Sequence, residues 1–245
     1  MATETEARPA FYALASGGWR DYLTLLHAPY TAWHLSYVAI GAALTPEFAL
    51  SRLLPTLCAF FLAVGIGAHA LDELRGRPLQ TRIPERVLVT LAVVSIAAAV
   101  VVGVVGAVLV NPWIGAFVAA GAFIVIAYNL ELFGGRFHGD AWFALAWGAF
   151  PLLTGFFAAA EELDGAAILG AAFAFALSLA QRRLSSRVRD VRRRVFRVSG
   201  TVERRDGSSQ QLTAADLMDA EEGALRVLAA ATVALAAALV MMQLW

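Results

Sequence analysis

The chain has 245 residues, of which 60% are hydrophobic and 16% charged, and its arginines and carboxylates cancel to no net charge. A mean hydropathy of +0.68 excludes an ordinary soluble globule and places the chain in a bilayer. One cysteine, Cys58, excludes a disulfide within the chain and a cysteine-rich metal site, and its place inside an apolar window predicts a packing role.

Windows of about 20 largely apolar residues, the length that crosses a hydrocarbon core, recur at about 28–45, 50–71, 86–110, 112–129, 141–160, 164–181 and 223–244. They predict an all-α fold, a polytopic transmembrane helical bundle of about seven spans forming one domain over 28–245. An interfacial N-terminal segment, 1–27, precedes it, and a long Arg-rich loop at 182–221 interrupts it.

The segment before His27 is polar, carries Glu4, Glu6, Arg8, Arg20 and Asp21, and lacks the apolar core and cleavage site of a signal peptide. Phe11, Tyr12, Trp19 and Tyr22 predict a short amphipathic stretch lying among lipid headgroups. The first span opens HAPYTAWHLSYVAIGAAL, with Pro29 tolerated at a helix start and Gly41, Ala42 and Ala43 offering a small-residue face for close helix contact. His34 reads as a buried, hydrogen-bonded histidine or, alternatively, as a ligand.

The second span runs into an acidic cluster, Asp72 and Glu73, followed by Arg75, Arg77, Gln80 and Arg82. His69 lies one helical turn before Asp72 on the same face, and Glu73 is rotated from Asp72 by about 100°. Carboxylates beside arginines at a helix end suit an anionic phosphate ligand with a bridging metal. A charged turn that anchors topology is the other reading. Pro78 and Pro84 bracket Gln80 and Thr81, so the loop is not a continuous helix.

Spans three and four are Val/Ala/Gly-rich and read as scaffold facing lipid. After them AYNLELFGGRFHGD gathers Tyr128, Asn129, Glu131, Arg136, His138 and Asp140 in one short connection, with Asp140 suited to capping the fifth helix. Trp142, Phe143, Trp147, Phe150, Phe156 and Phe157 in the fifth span either pack or line a pocket for an apolar chain or a developing carbocation. Beyond span six, Ser186, Asp190 and Arg194 fall at i+4 positions on one face of a continued helix. Asp206-Gly207 then predicts a hairpin, and Thr213 with Asp216 a capping-box start to the last helix. The arginine run between Arg182 and Arg205 reads as a topological anchor touching anionic lipid or as a diphosphate site; nucleic acid would need stacking aromatics nearby. Because arginines concentrate in alternate loops, the positive-inside rule predicts a multi-pass protein of the cell (inner) membrane with its N-terminus and Arg-rich loops cytoplasmic and Trp245 outside.

In their order, four segments resemble the UbiA superfamily of intramembrane prenyltransferases. HAPYTAWHLSYVAIGAAL is similar to that family's first helix, AHALDELRGRPLQTRIP to its first aspartate-rich motif, YNLELFGGRFHGDAWFALAWGAFP to its second cytoplasmic connection and fifth helix, and SLAQRRLSSRVRDVRRR to its second aspartate-rich motif. The resemblance implies a bundle with a central cavity capped by cytoplasmic loops, in which an isoprenyl group passes from an allylic diphosphate to an aromatic or lipid acceptor. It implies Mg2+ on Asp72, Glu73 and Asp190, and catalytic roles for Asp72, Asp190, Glu73 and His69, with Glu131 a second candidate base. Diphosphate contacts are implied for Arg77, Arg82, Arg187, Arg194 and Tyr128. The sequence departs from the pattern where Ala68, His69 and Gly76 replace an asparagine and two aspartates, where Ser186 and Arg194 flank Asp190, and in having seven predicted spans against the family's usual nine. Those departures keep open a non-catalytic isoprenoid-, quinone- or pigment-binding or structural membrane subunit.

Overall fold

A computed structural model describes residues 8–245; Glu4 and Glu6 lie outside the described residues. Apart from one small hairpin the described chain is helical. In chain order the helices are α1 (Trp19–Leu25), α2 (Ala28–Ala43), α3 (Leu50–Leu74), α4 (Glu85–Leu109), α5 (Ile114–Asn129), α6 (Asp140–Ala160), α7 (Gly165–Arg194) and α8 (Asp219–Leu244).

Five of them, α3, α4, α6, α7 and α8, are long and apolar enough to cross a membrane. The windows at 28–45 and 112–129 become helices of 16 residues each. At 1.5 Å per residue these are about 24 Å long, short of a hydrocarbon core of about 30 Å. Proline and glycine set the limits: Pro29 stands in the first turn of α2, Asn111-Pro112 breaks the chain before α5, and Asp164 caps α7 by accepting the Ala167 N–H at 2.9 Å.

Helix α2 is the centre of the bundle, packed between α6 and α8. Trp33 and Tyr37 on it are fully buried; the Trp33 indole donates to the Tyr37 hydroxyl at 2.6 Å, and Ser178 of α7 reaches the same oxygen at 3.2 Å. In a bilayer, where lipid is as apolar as leucine, such bonds and close van der Waals contact hold helices together. The tightest crossing is α2 on α6. A Cβ on Gly41 would overlap the Leu152 carbonyl, and one on Gly155 would overlap the Val38 carbonyl, so each glycine admits the other helix's backbone. Helix α7 presents a buried seam at three- and four-residue spacing, Ala167, Ala171, Ala174, Ser178, Gln181, Ser185 and Val188. Helix α4, by contrast, is mostly exposed, as a lipid-facing scaffold would be.

Two helices contain π-helical turns, Phe61–Ala68 in α3 and Leu145–Ala149 in α6. Outside the bundle, β1 (Thr201–Glu203) pairs antiparallel with β2 (Ser209–Gln211) around Asp206-Gly207. Thr213 and Asp216 exchange the expected reciprocal bonds, but across a short 3-10 turn ahead of α8. Cys58 is exposed on α3 instead of serving as packing. Asp140 is the first residue of α6 and makes no cap bond; its carboxylate pairs with Arg182 at 3.0 Å. Phe11 and Tyr12 also depart from the interfacial expectation, turning inward against Tyr30 while Trp19 and Tyr22 stay exposed.

Candidate functional site: a polar chamber over an apolar groove

Residues from each of the polar stretches come together at one end of the bundle, around a cavity of about 330 Å³. From α3 come His69 and Asp72, from the end of α5 Tyr128 and Asn129, from the following connection His138, and from α7 Gln181, Arg182, Arg189 and Arg193. The N-terminal segment closes it with Phe11 and Tyr12. That segment is tied down: the Leu14 N–H donates to Thr24 Oγ1 at 3.0 Å, and Arg226 lies 4.7 Å over the Phe11 ring.

All four histidines of the chain, His27, His34, His69 and His138, line this chamber. Three of them hold backbone carbonyls through Nδ1: His34 to Trp147 at 2.7 Å, His69 to Gly65 at 3.1 Å and His138 to Tyr128 at 3.1 Å. A carbonyl only accepts, so Nδ1 carries the proton and the neutral ring keeps Nε2 as a bare acceptor. His27, in the left-handed region with φ 47°, stacks on His69 and meets the Tyr12 hydroxyl through Nδ1 at 3.0 Å. Burial first, then the neighbouring His69, holds the His27 imidazole well below its ordinary pKa, so it is neutral. Its Nε2 and the Oε1 of Gln181, a side chain only 2% exposed, are buried without any hydrogen-bond partner.

Asp72 is the one carboxylate in the lining, and among the described residues no ion pair engages it. Tyr128 joins it in the chamber, its ring 4.5 Å from His138 and 5.5 Å from Trp147.

The other expected site residues lie elsewhere. Glu73 is completely buried outside the chamber lining and accepts from the Leu79 N–H, the Thr81 N–H and the Thr81 hydroxyl at 2.8–2.9 Å. It organises the loop. Arg77 donates to the Ile83 carbonyl at 2.6 Å, and Arg82 is exposed, with only its backbone N–H engaged, by Asp21. Glu131 pairs with Arg75 at the surface. Asp190 sits two residues past Val188 of the α7 seam, hence about 200° around the helix, where it is half exposed and 3.8 Å from Arg194. The expected i+4 face exists, but it points outward. Arg187 and Arg194 are exposed with it.

The magnesium set that the resemblance implies does not come together here. Mg2+ takes oxygen ligands, one or two carboxylates with substrate phosphate and water, and of the three expected carboxylates only Asp72 lines the chamber. Glu73 has spent its oxygens on the loop, Asp190 is on the far face, and no group of three or more His, Cys, Asp or Glu among the described residues is placed to hold a metal.

Next to the chamber lies an apolar groove of about 370 Å³ between α3, α4, α5 and α6. Val64 and Trp147 line both spaces and form the wall between them. The aromatic run of α6 thus divides by position: Phe143 and Trp147 face the chamber, Trp147, Phe150 and Phe157 the groove, and Phe156 packs in the core. His27, Gln181 and Arg193 were not singled out by the sequence, and Tyr12 only as an interfacial residue. The signal was the small-residue spacing of α7, which phases Gln181, Ser185, Val188 and Arg189 onto one side.

Comparison with known proteins returns no relative: no family model, no curated protein and no solved structure matches the chain.

Proposed function

We propose that this multi-pass membrane protein is a UbiA-like intramembrane prenyltransferase whose ligand is an isoprenyl diphosphate, with its anionic head in the chamber and its chain in the groove. The observation that carries this is adjacency: Val64 and Trp147 line both an arginine-bearing cavity and an apolar one, which places the two spaces side by side. A ligand with a charged head and a long apolar tail satisfies both at once. In this reading α2 and α5 also cross, giving seven spans, and the arginine-bearing chamber end faces the cytoplasm.

Transfer breaks the allylic C1–O bond, leaves diphosphate against Arg189 and Arg193, joins C1 to a carbon of an aromatic or lipid acceptor, and passes that carbon's proton to a base. His69 suits the last task, since its Nδ1 is bonded to Gly65 and its Nε2 is bare. The faces of Tyr128, Phe143 and Trp147 shelter the developing cation.

One observation favours a second reading, a carrier that binds isoprenoid without turnover: neither Glu73 nor Asp190 reaches the chamber. The two separate when purified protein is given geranylgeranyl diphosphate and a mixture of phenolic and quinol acceptors. Diphosphate release with a prenylated product, both lost in Arg189→Gln, supports transfer. Tight binding without release supports the carrier, and no binding overturns both.

A further inference from the structure

Resting on that reading of the chamber, we propose that the protein recognises the diphosphate head with guanidinium groups alone, without a divalent cation. Helix α7 turns Arg182, Arg189 and Arg193 toward the cavity, against one carboxylate, Asp72. Of the other α7 arginines, Arg192 is bound by Glu222 and Arg194 by Asp190, while Arg183 and Arg187 are exposed outside the cavity; Arg189 and Arg193 line it with no carboxylate within 4.0 Å among the described residues. Arg182 is shared with Asp140.

Arg189 and Arg193 stand one turn apart, about 6 Å along the helix axis, a spacing comparable with the length of a diphosphate. A guanidinium meets phosphate oxygens through paired N–H donors, a match that a point charge does not offer. A divalent ion here would meet three positive side chains and only one carboxylate, and would be repelled. The same surplus of positive charge complements a trianionic head. Asp72 then opposes the anion electrostatically and has no metal to hold.

The test is calorimetric titration of full-length protein with farnesyl diphosphate in phosphatidylcholine nanodiscs, which supply no anionic headgroup to compete. It is run with excess EDTA and again with excess magnesium. Affinity in EDTA equal to or tighter than that in magnesium, which can only compete for the head, is the expected result, with Arg189→Gln and Arg193→Gln each weakening binding about tenfold, or 1.4 kcal/mol, and the exposed Arg187→Gln leaving it unchanged. Asp72→Asn is expected to tighten binding by removing a negative charge. Binding that requires magnesium and is lost in Asp72→Asn overturns the proposal while leaving the ligand reading intact. Absence of binding in both conditions overturns the ligand reading and the proposal with it.

Discussion

The imidazole of His69 lies flat on that of His27, ring centroids 4.0 Å apart and planes 11° from parallel. The contact joins the end of α3, where the acidic cluster begins, to the residue that opens α2. It fixes both rings in the chamber, and it fails once both are protonated, because two imidazolium ions in contact repel.

Acid therefore loosens this end of the molecule. The His27 pKa is held below its ordinary value by burial and by His69, so the unfolded chain takes up a proton more readily than the folded one. The stabilisation is complete above about pH 6.5, the unfolded value, and is lost as pH falls from there toward the folded value. Thermal unfolding followed by circular dichroism should show a Tm that drops between pH 7.5 and 5. His27→Asn, which tolerates the left-handed backbone, should make that drop smaller.

Glu73 holds a loop and not a metal. Glu73→Ala leaves the Leu79 and Thr81 donors buried without partners, at a cost of about 3 kcal/mol. The measured consequence is a lower Tm that magnesium neither restores nor alters. A metal ligand would instead give a protein of normal Tm with a lost magnesium response.

Gly41→Ala and Gly155→Ala drive a methyl into a backbone carbonyl of the facing helix. Each should cost about 3 kcal/mol, read as loss of monodisperse protein on extraction or as a large fall in Tm. Gly223→Ala has open space around it and should be silent.

Gln181 separates binding from stability. Its buried amide oxygen has no partner, so Gln181→Leu should leave Tm equal or raised by up to about 1 kcal/mol of stability. Ligand affinity should fall in the same variant, because a polar contact offered by the chamber is gone.

Much of this architecture was legible in the residues. Apolar windows of spanning length gave the bundle, Pro29 marked a helix start, and Asp206-Gly207 marked the hairpin, while the Asp164 cap went unread and the expected Asp140 cap did not form. The polar stretches at one bundle end were visible because each interrupts or ends an apolar run. What the sequence left open was rotation. Asp190 and Arg189 are adjacent, yet about 100° of helix puts Arg189 in the chamber and Asp190 outside it. The phase is set by the helices that α7 packs against, through Ser178, Gln181, Ser185 and Val188. Asp72 and Glu73 divide in the same way, one into the cavity and one into the loop. His27 escaped notice because its placement depends on a left-handed residue and a contact with the distant His69.

The central claim is that one ligand occupies both spaces, head in the chamber and tail in the groove. Photolabelling tests it most directly: a farnesyl diphosphate analogue with a benzophenone at the tail end is irradiated with the purified protein, and labelled peptides are mapped. Labelling on the groove-lining stretch that contains Trp147, Phe150 and Phe157 is expected, displaced by unlabelled farnesyl diphosphate and reduced in the Arg189→Gln, Arg193→Gln double variant. Labelling confined to the exposed outer face of α4, indifferent to competitor and to both arginines, would contradict it.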